Sequence, residues 1–250
     1  MTIQDVLNAM NKIAPFELAE PWDNVGLLLG SRNTAVTKIL VALDVTLPVI
    51  EEAVSIGANL IVTHHPVIYT PLKSVDSGSF QWRLISAGIS VICAHTNLDK
   101  ADGGVNDVLA QTVGLTNISS PPELLFGRLG ELSSPMSPEQ FAASVASKLK
   151  AHVKYNSTQK PIRRVAVIGG SCSQELDALP AGTDAVLTGE TRHNFRLDAA
   201  RLGVCLLEAG HYHTENTIIP VLAKKLADML TGTDVIVSVS SADGVTVAAP

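Results

Sequence analysis

Aromatic residues are scarce in this chain. Five Phe, three Tyr and two Trp make up 4% of its 250 residues. A core must therefore be built from Val, Ile, Leu and Ala. Charged residues are also few, at 17% against 46% hydrophobic. That balance excludes a disordered chain, which is apolar-poor and charge-rich. Basic stripes are missing, the adjacent basic pairs being Arg163-Arg164 and Lys224-Lys225, and the net charge is −6. No duplex nucleic-acid partner is expected from such a surface. The three cysteines, Cys93, Cys172 and Cys205, lie far apart, with no Cys-x-x-Cys pair and no disulfide framework. The mean hydropathy of +0.26 is high for a chain without a membrane span. Yet the longest uncharged run, Ala53 to Leu72, carries Asn59, His64, His65 and Pro66. It cannot cross a bilayer cheaply. The opening Met1-Thr-Ile-Gln-Asp5 is neither basic nor apolar, so no signal peptide is read and a cytoplasmic protein is expected.

What is present is a set of short apolar runs alternating with helical patterns. Ile3 to Ile13 has helical spacing, with Thr2 as N-cap. Residues 25–29, 39–43, 59–63 and 90–94 read as strands. Residues 48–56, 81–87 and 105–113 read as helices between or after them. This alternation is the signature of a mainly parallel α/β sheet flanked by helices. Ser-Pro clusters at 119–122 and 133–135 mark a restart. A strand at 129–132, a helix at 138–149 and strands at 165–168 and 185–187 follow. The length suits one large domain or two small ones, at roughly 100–200 residues each. The reading is two lobes: about 1–125 plus 190–250, and a smaller α/β lobe, 126–189, inserted in it. A strand at 204–207, a long helix at 214–229 and a last strand at 235–239 would complete the first lobe.

The seven histidines are not scattered evenly. His64-His65 follows Leu60-Ile-Val-Thr63. His95 follows Val91-Ile-Cys-Ala94 and leads to Asp99. His211 follows Cys205-Leu-Leu-Glu-Ala-Gly210 and leads to His213 and Glu215. Each is the end of an expected parallel strand, and the carboxyl edge of such sheets is where ligands bind. His64, His65, Asp99, His211 and Glu215 thus offer imidazole and carboxylate donors at one expected sheet edge. Such donors suit borderline divalent ions: iron, manganese, zinc, nickel or cobalt. The set exceeds the roughly three protein ligands that a catalytic zinc needs. It fits two metals if a carboxylate bridges, and such a pair activates water for hydrolysis.

Each member has a plainer reading. Adjacent His64 and His65 point to opposite sides if the strand continues. Asp99 and Glu215 could be first-turn helix acids. His95 reads more naturally as a support for Asp99 than as a ligand. His152 and His193 read as surface residues. Asp23 and Asn24, ahead of the first strand, read as turn residues in a run with Trp22 that could line the site. Gly169-Gly170-Ser171, after a strand, could cradle a phosphate, though no Walker lysine accompanies it.

Five motifs occur in order: Glu20-Pro-Trp-Asp-Asn-Val-Gly-Leu27, Thr63-His-His-Pro66, Ala94-His-Thr-Asn-Leu-Asp99, Thr188-Gly-Glu190 and Gly210-His-Tyr-His-Thr-Glu215. Together they resemble the NIF-three-like family, also named GTP cyclohydrolase I type 2 homologs, over nearly the whole chain. The resemblance implies a two-lobed α/β protein assembled as a toroidal homohexamer, with a dinuclear metal site facing an internal cavity. It implies that His64 and His65 serve different metals, that Asp99 and His211 are ligands, and that Glu215 bridges. A metal-dependent hydrolase acting on a nucleotide, pterin or phosphoester is then expected. The competing expectation is a non-enzymatic metal-binding regulator or metal chaperone. A hydrolase also needs an acid or base beyond the ligands, for which His95 and Glu190 are candidates, with His213 and Asp44 behind them.

Overall fold

In the computed structural model, residues 1–172 and 179–245 are described. In chain order they form helix α1 (Ile3–Ile13), strands β1 (Gly26–Leu29) and β2 (Lys38–Ala42), helix α2 (Leu47–Ile56) and strand β3 (Leu60–Thr63). Helix α3 (Phe80–Ser86), strand β4 (Ser90–Cys93) and helices α4 (Thr96–Lys100) and α5 (Val105–Thr112) follow. Next come β5 (Thr116–Ser119), β6 (Arg128–Met136), α6 (Pro138–Leu149), β7 (Lys154–Tyr155), β8 (Ile162–Ser171) and β9 (Ala185–Glu190). The chain ends with α7 (His193–Leu202), β10 (Cys205–Glu208), α8 (His211–Glu215), α9 (Ile218–Met229) and β11 (Asp234–Val237).

The chain divides into two compact units, Met1–Leu98 with Ile219–Pro250, and Asp99–Ile218. The second is longer than the expected 126–189 lobe. The first unit holds a five-stranded sheet in the order β1-β4-β3-β2-β11. Its four strands from β4 to β11 run parallel, and β1 adds to β4 antiparallel. Strands β3 and β4 are buried along their whole length, as parallel strands covered on both faces must be. Leu40, Ala42, Ile61 and Val91 pack with Val49, Ile50 and Ala53 of α2 and Leu84 of α3. Helix α2 starts where the Thr46 hydroxyl accepts the Val49 N–H and stops at Gly57, whose φ of 70° is the left-handed cap.

The second unit holds a six-stranded mixed sheet, β5-β6-β8-β9-β10-β7. Strands β8, β9 and β10 are parallel, while the outer pairings are antiparallel. Helix α6 packs Phe141, Val145 and Leu149 with Val165 and Val167 of β8. Its start is a reciprocal cap: Gln140 N–H donates to Ser137 Oγ (3.1 Å) and Ser137 N–H donates to Gln140 Oε1 (2.9 Å).

Two expectations are corrected here. The 204–207 strand does not complete the first lobe. As β10 it pairs with β9 and β7 in the second sheet, because its backbone partners are Ala185–Thr188 and Lys154–Tyr155. The long 214–229 helix is two helices, α8 and α9, broken at Asn216 and Thr217. Among the described residues no helix is long and apolar enough to cross a membrane.

Candidate metal centre

Register builds the first cluster. Ala42, Thr63 and Cys93 are aligned across β2, β3 and β4. One residue further on stand Leu43, His64 and Ala94, and one further again Asp44, His65 and His95. Backbone bonds continue past the strand ends, with His65 N–H donating to Leu43 O (3.0 Å) and Ala94 N–H to Thr63 O (2.9 Å). The sheet edge therefore presents two histidines and a carboxylate in one row, with His64 in the row before it. His64, His65 and His95 each offer a ring nitrogen within 4.8 Å of the others. The strand ends at Thr63, so the two adjacent rings do not splay to opposite faces. Their centroids lie 4.9 Å apart.

Each of these rings is tied through Nδ1. His64 Nδ1 is 2.9 Å from Ala94 O, His65 Nδ1 is 2.7 Å from Asp44 Oδ1, and His95 Nδ1 is 2.9 Å from Asp23 Oδ1. A carbonyl or an ionised carboxylate only accepts, so Nδ1 must carry the proton. The neutral ring then keeps its lone pair on Nε2. This is how ligating histidines are held.

Asp23, read from sequence as a turn residue, is the anchor of His95. Its side chain is fully buried. Burial alone would push its carboxyl up. Hydrogen bonds from His95, the Thr96 hydroxyl and the Thr96 N–H outweigh that and hold it well below the usual carboxylate range. The signal that could have found it is the acid's place one residue after Trp22 in a motif. The sequence separation of 72 between the partners hid the contact.

The second unit builds its own cluster in the same way. Ile168, Thr188 and Glu208 are aligned across β8, β9 and β10. Beyond them the β8–β9 register shifts, so that Ser171 stands opposite Glu190, and past β10 Gly210 is followed by His211, which opens α8. His211 is therefore delivered by the second sheet, and the expectation of one sheet edge for all five ligands is corrected. Its Nδ1 donates to Glu190 Oε1 at 2.9 Å, and its Nε2 lies 3.1 Å from Glu215 Oε2. Asp99 and Glu215 bring carboxylate oxygens within 4.8 Å of one another. Glu215 is 5% exposed and closes α8, so it is not a first-turn acid serving a helix dipole.

Two glycines make room for this cluster. Gly170 has φ of 65°, and a Cβ there would run into the Glu215 carboxylate. A Cβ at Gly189 would lie 2.7 Å from His211 Cα and 2.8 Å from Thr214 Oγ1. The phosphate-cradle reading of 169–171 is corrected as well. Gly169 N–H donates to Asn106 Oδ1 (2.7 Å) and Gly170 N–H to Thr214 Oγ1 (3.1 Å), so both amides are taken. His152 and His193 are exposed, His193 being the first residue of α7.

An α/β protein whose sheet edges carry His and carboxylate clusters, with the imidazoles held through Nδ1, is a candidate metal-binding protein. The chain belongs to the Duf34/NIF3 (NGG1p interacting factor 3) family, whose model matches residues 1–244. A Clostridium perfringens protein named GTP cyclohydrolase 1 type 2 homolog is 33% identical over 243 residues, covering 92% of this chain and 93% of that one. A Staphylococcus aureus protein of solved structure is 32% identical with a TM-score of 0.88, covering 99% of both chains. The reduced HcgD of Methanocaldococcus jannaschii is 26% identical with a TM-score of 0.81, covering 95% of this chain and 97% of that one.

Proposed function

We propose that the chain is a dinuclear metal-dependent hydrolase, with His64, His65, Asp99, His211 and Glu215 holding two divalent ions and Glu215 bridging them. One observation carries the reading. Three histidines just past strand ends, His64, His65 and His211, each give Nδ1–H to a carbonyl or carboxylate, which is how ligating imidazoles are oriented. Donor chemistry agrees, since mixed imidazole and carboxylate suits iron, manganese, zinc, nickel or cobalt. Two ions bound there would supply Lewis-acid polarisation of a substrate oxygen and activation of water.

The chain's own groups do the rest. Asp44 and Glu190 fix the rings of His65 and His211, which makes Glu190 a positioning residue in this reading. His95 serves as the acid–base group. Its Nε2 takes up a proton, and the buried Asp23 carboxylate stabilises the imidazolium that results. The name GTP cyclohydrolase 1 type 2 homolog, borne by the curated relatives, supports a nucleotide or pterin substrate. The working form in this reading is a cytoplasmic toroidal homohexamer.

The test is turnover by metal-loaded protein across purine nucleotides, pterins and phosphoesters, with light scattering on the same sample. Turnover that needs metal and disappears in His95→Ala supports the reading. Full metal content with no turnover on any class turns it to a metal-binding regulator or chaperone. A monomer of 26.3 kDa at micromolar concentration removes the ring.

A further inference from the structure

Two of the most exposed large side chains in the first unit stand beside its histidine row. Trp22 is 56% exposed and Tyr69 55%. Their ring centroids are 6.1 Å apart with planes at 48°, so neither covers the other's face. The Trp22 ring also lies 6.4 Å from the His95 ring, edge-on at 76°. His95 in turn lies 5.2 Å from His64 and 5.7 Å from His65. A continuous run of rings thus leads from solvent, through Tyr69 and Trp22, to the histidine cluster.

The backbone under both aromatics is fixed by polar wiring. Glu20 N–H donates to Thr96 Oγ1 (2.9 Å), and Asp23 is held by His95 and Thr96, so Trp22 sits between two anchors. On the other side, Asn24 Nδ2 donates to Ile68 O (2.6 Å) and Gln81 Nε2 donates to Val67 O (2.5 Å), next to Tyr69. Rings kept in water on an ordered backbone lose hydrophobic stabilisation that burial would supply. Fixing them in advance lowers the ordering cost of binding a ligand.

We infer that Trp22 and Tyr69 form a stacking subsite for a planar heteroaromatic ring, of the purine or pterin class, beside the His64–His65–His95 cluster. The exposed face of such a ring takes a flat π-system in offset or edge-on arrangement. A heteroaromatic ring also presents donors and acceptors at its edge, and the His95 imidazole is the polar ring next to Trp22. A simple phosphoester offers no face to stack. The inference deepens the hydrolase reading, since it assigns the part of the substrate that the metal ligands do not hold.

The probes are guanosine 5′-monophosphate and ribose 5-phosphate, used on zinc-loaded full-length protein. Trp82→Phe leaves Trp22 as the single tryptophan, and its emission reports the subsite directly. Guanosine 5′-monophosphate is expected to quench that emission saturably, and ribose 5-phosphate is not. By calorimetry, Trp22→Leu and Tyr69→Leu should each weaken guanosine 5′-monophosphate binding roughly tenfold, whereas Trp22→Phe keeps most of it. Metal content and particle size are measured on every variant and stay unchanged. Equal responses to the two probes overturn the subsite. Unaltered affinity in Trp22→Leu overturns it too, and a changed particle size in that variant then marks the patch as a contact between copies. Full metal content without any nucleotide response overturns the subsite and leaves the metal reading standing. Nucleotide quenching in a protein that takes up no metal leaves the subsite standing and overturns the metal reading.

Discussion

His65 Nδ1 lies 2.7 Å from Asp44 Oδ1, and the two residues stand at the same height just past the ends of neighbouring parallel strands. The contact follows from register alone. With Ala42 opposite Thr63, the residues two steps past each strand end must meet. The carboxylate fixes the imidazole tautomer and holds the ring's orientation.

Asp44→Ala should therefore weaken metal binding by about 10–100-fold without unfolding the protein. Asp44→Asn keeps a carbonyl acceptor and should fall between. Chelator competition on the two variants checks the order. Equal affinity in all three proteins would remove Asp44 from the account.

Asp23 makes a prediction in pH. Its folded pKa lies below the ordinary value, so its contribution to stability is complete above the unfolded pKa of about 3.9. It is lost as pH falls from there toward the folded value. Urea unfolding of wild type and Asp23→Asn should show a gap of about 1–3 kcal/mol at pH 6 that narrows below pH about 4. A gap that widens on acidification contradicts this sign.

Gly170→Ala and Gly57→Ala should differ, although both positions have similar φ, 65° and 70°. At Gly57 no atom meets an added Cβ within 4 Å, so the cost is the left-handed strain of about 1–2 kcal/mol alone. At Gly170 the Cβ also displaces the Glu215 carboxylate. Gly57→Ala should keep metal affinity while Gly170→Ala loses it. Thermal unfolding and metal titration on both variants decide.

His152→Ala and His193→Ala serve as controls, since both side chains are exposed and lie outside either cluster. Metal content should stay at the wild-type value. Loss in either variant would mean the site is elsewhere.

The strand-end histidines were legible because buried parallel strands leave an unmistakable apolar run, as in Leu60–Thr63 and Ser90–Cys93, that stops at the functional residue. The sheet to which β10 belongs was not legible. An apolar run such as Cys205–Leu207 reports burial but not its hydrogen-bonding neighbour. Strands β5 and β7 were missed because Thr116–Ser119 and Lys154–Tyr155 are largely exposed edge strands without an apolar face. Helix α7 hides for a similar reason, burying only Phe195 and Ala199. In the candidate site the His and carboxylate positions past the strand ends were readable from spacing, whereas the hydrogen bonds that tie them were not. Asp23 and Glu190 act across 72 and 21 residues, a distance that local pattern cannot span.

Metal stoichiometry in wild type and Glu215→Gln tests the central claim most directly. Glutamine keeps the size of the side chain and one carbonyl oxygen but removes the charge that a bridge between two cations requires. Elemental analysis of carefully purified wild-type protein should give about two divalent ions per chain. Glu215→Gln, with unchanged circular dichroism, should hold at most half of that. Wild-type protein that carries no metal and takes up none on titration contradicts the dinuclear centre, and full occupancy in folded Glu215→Gln contradicts Glu215 as its bridge.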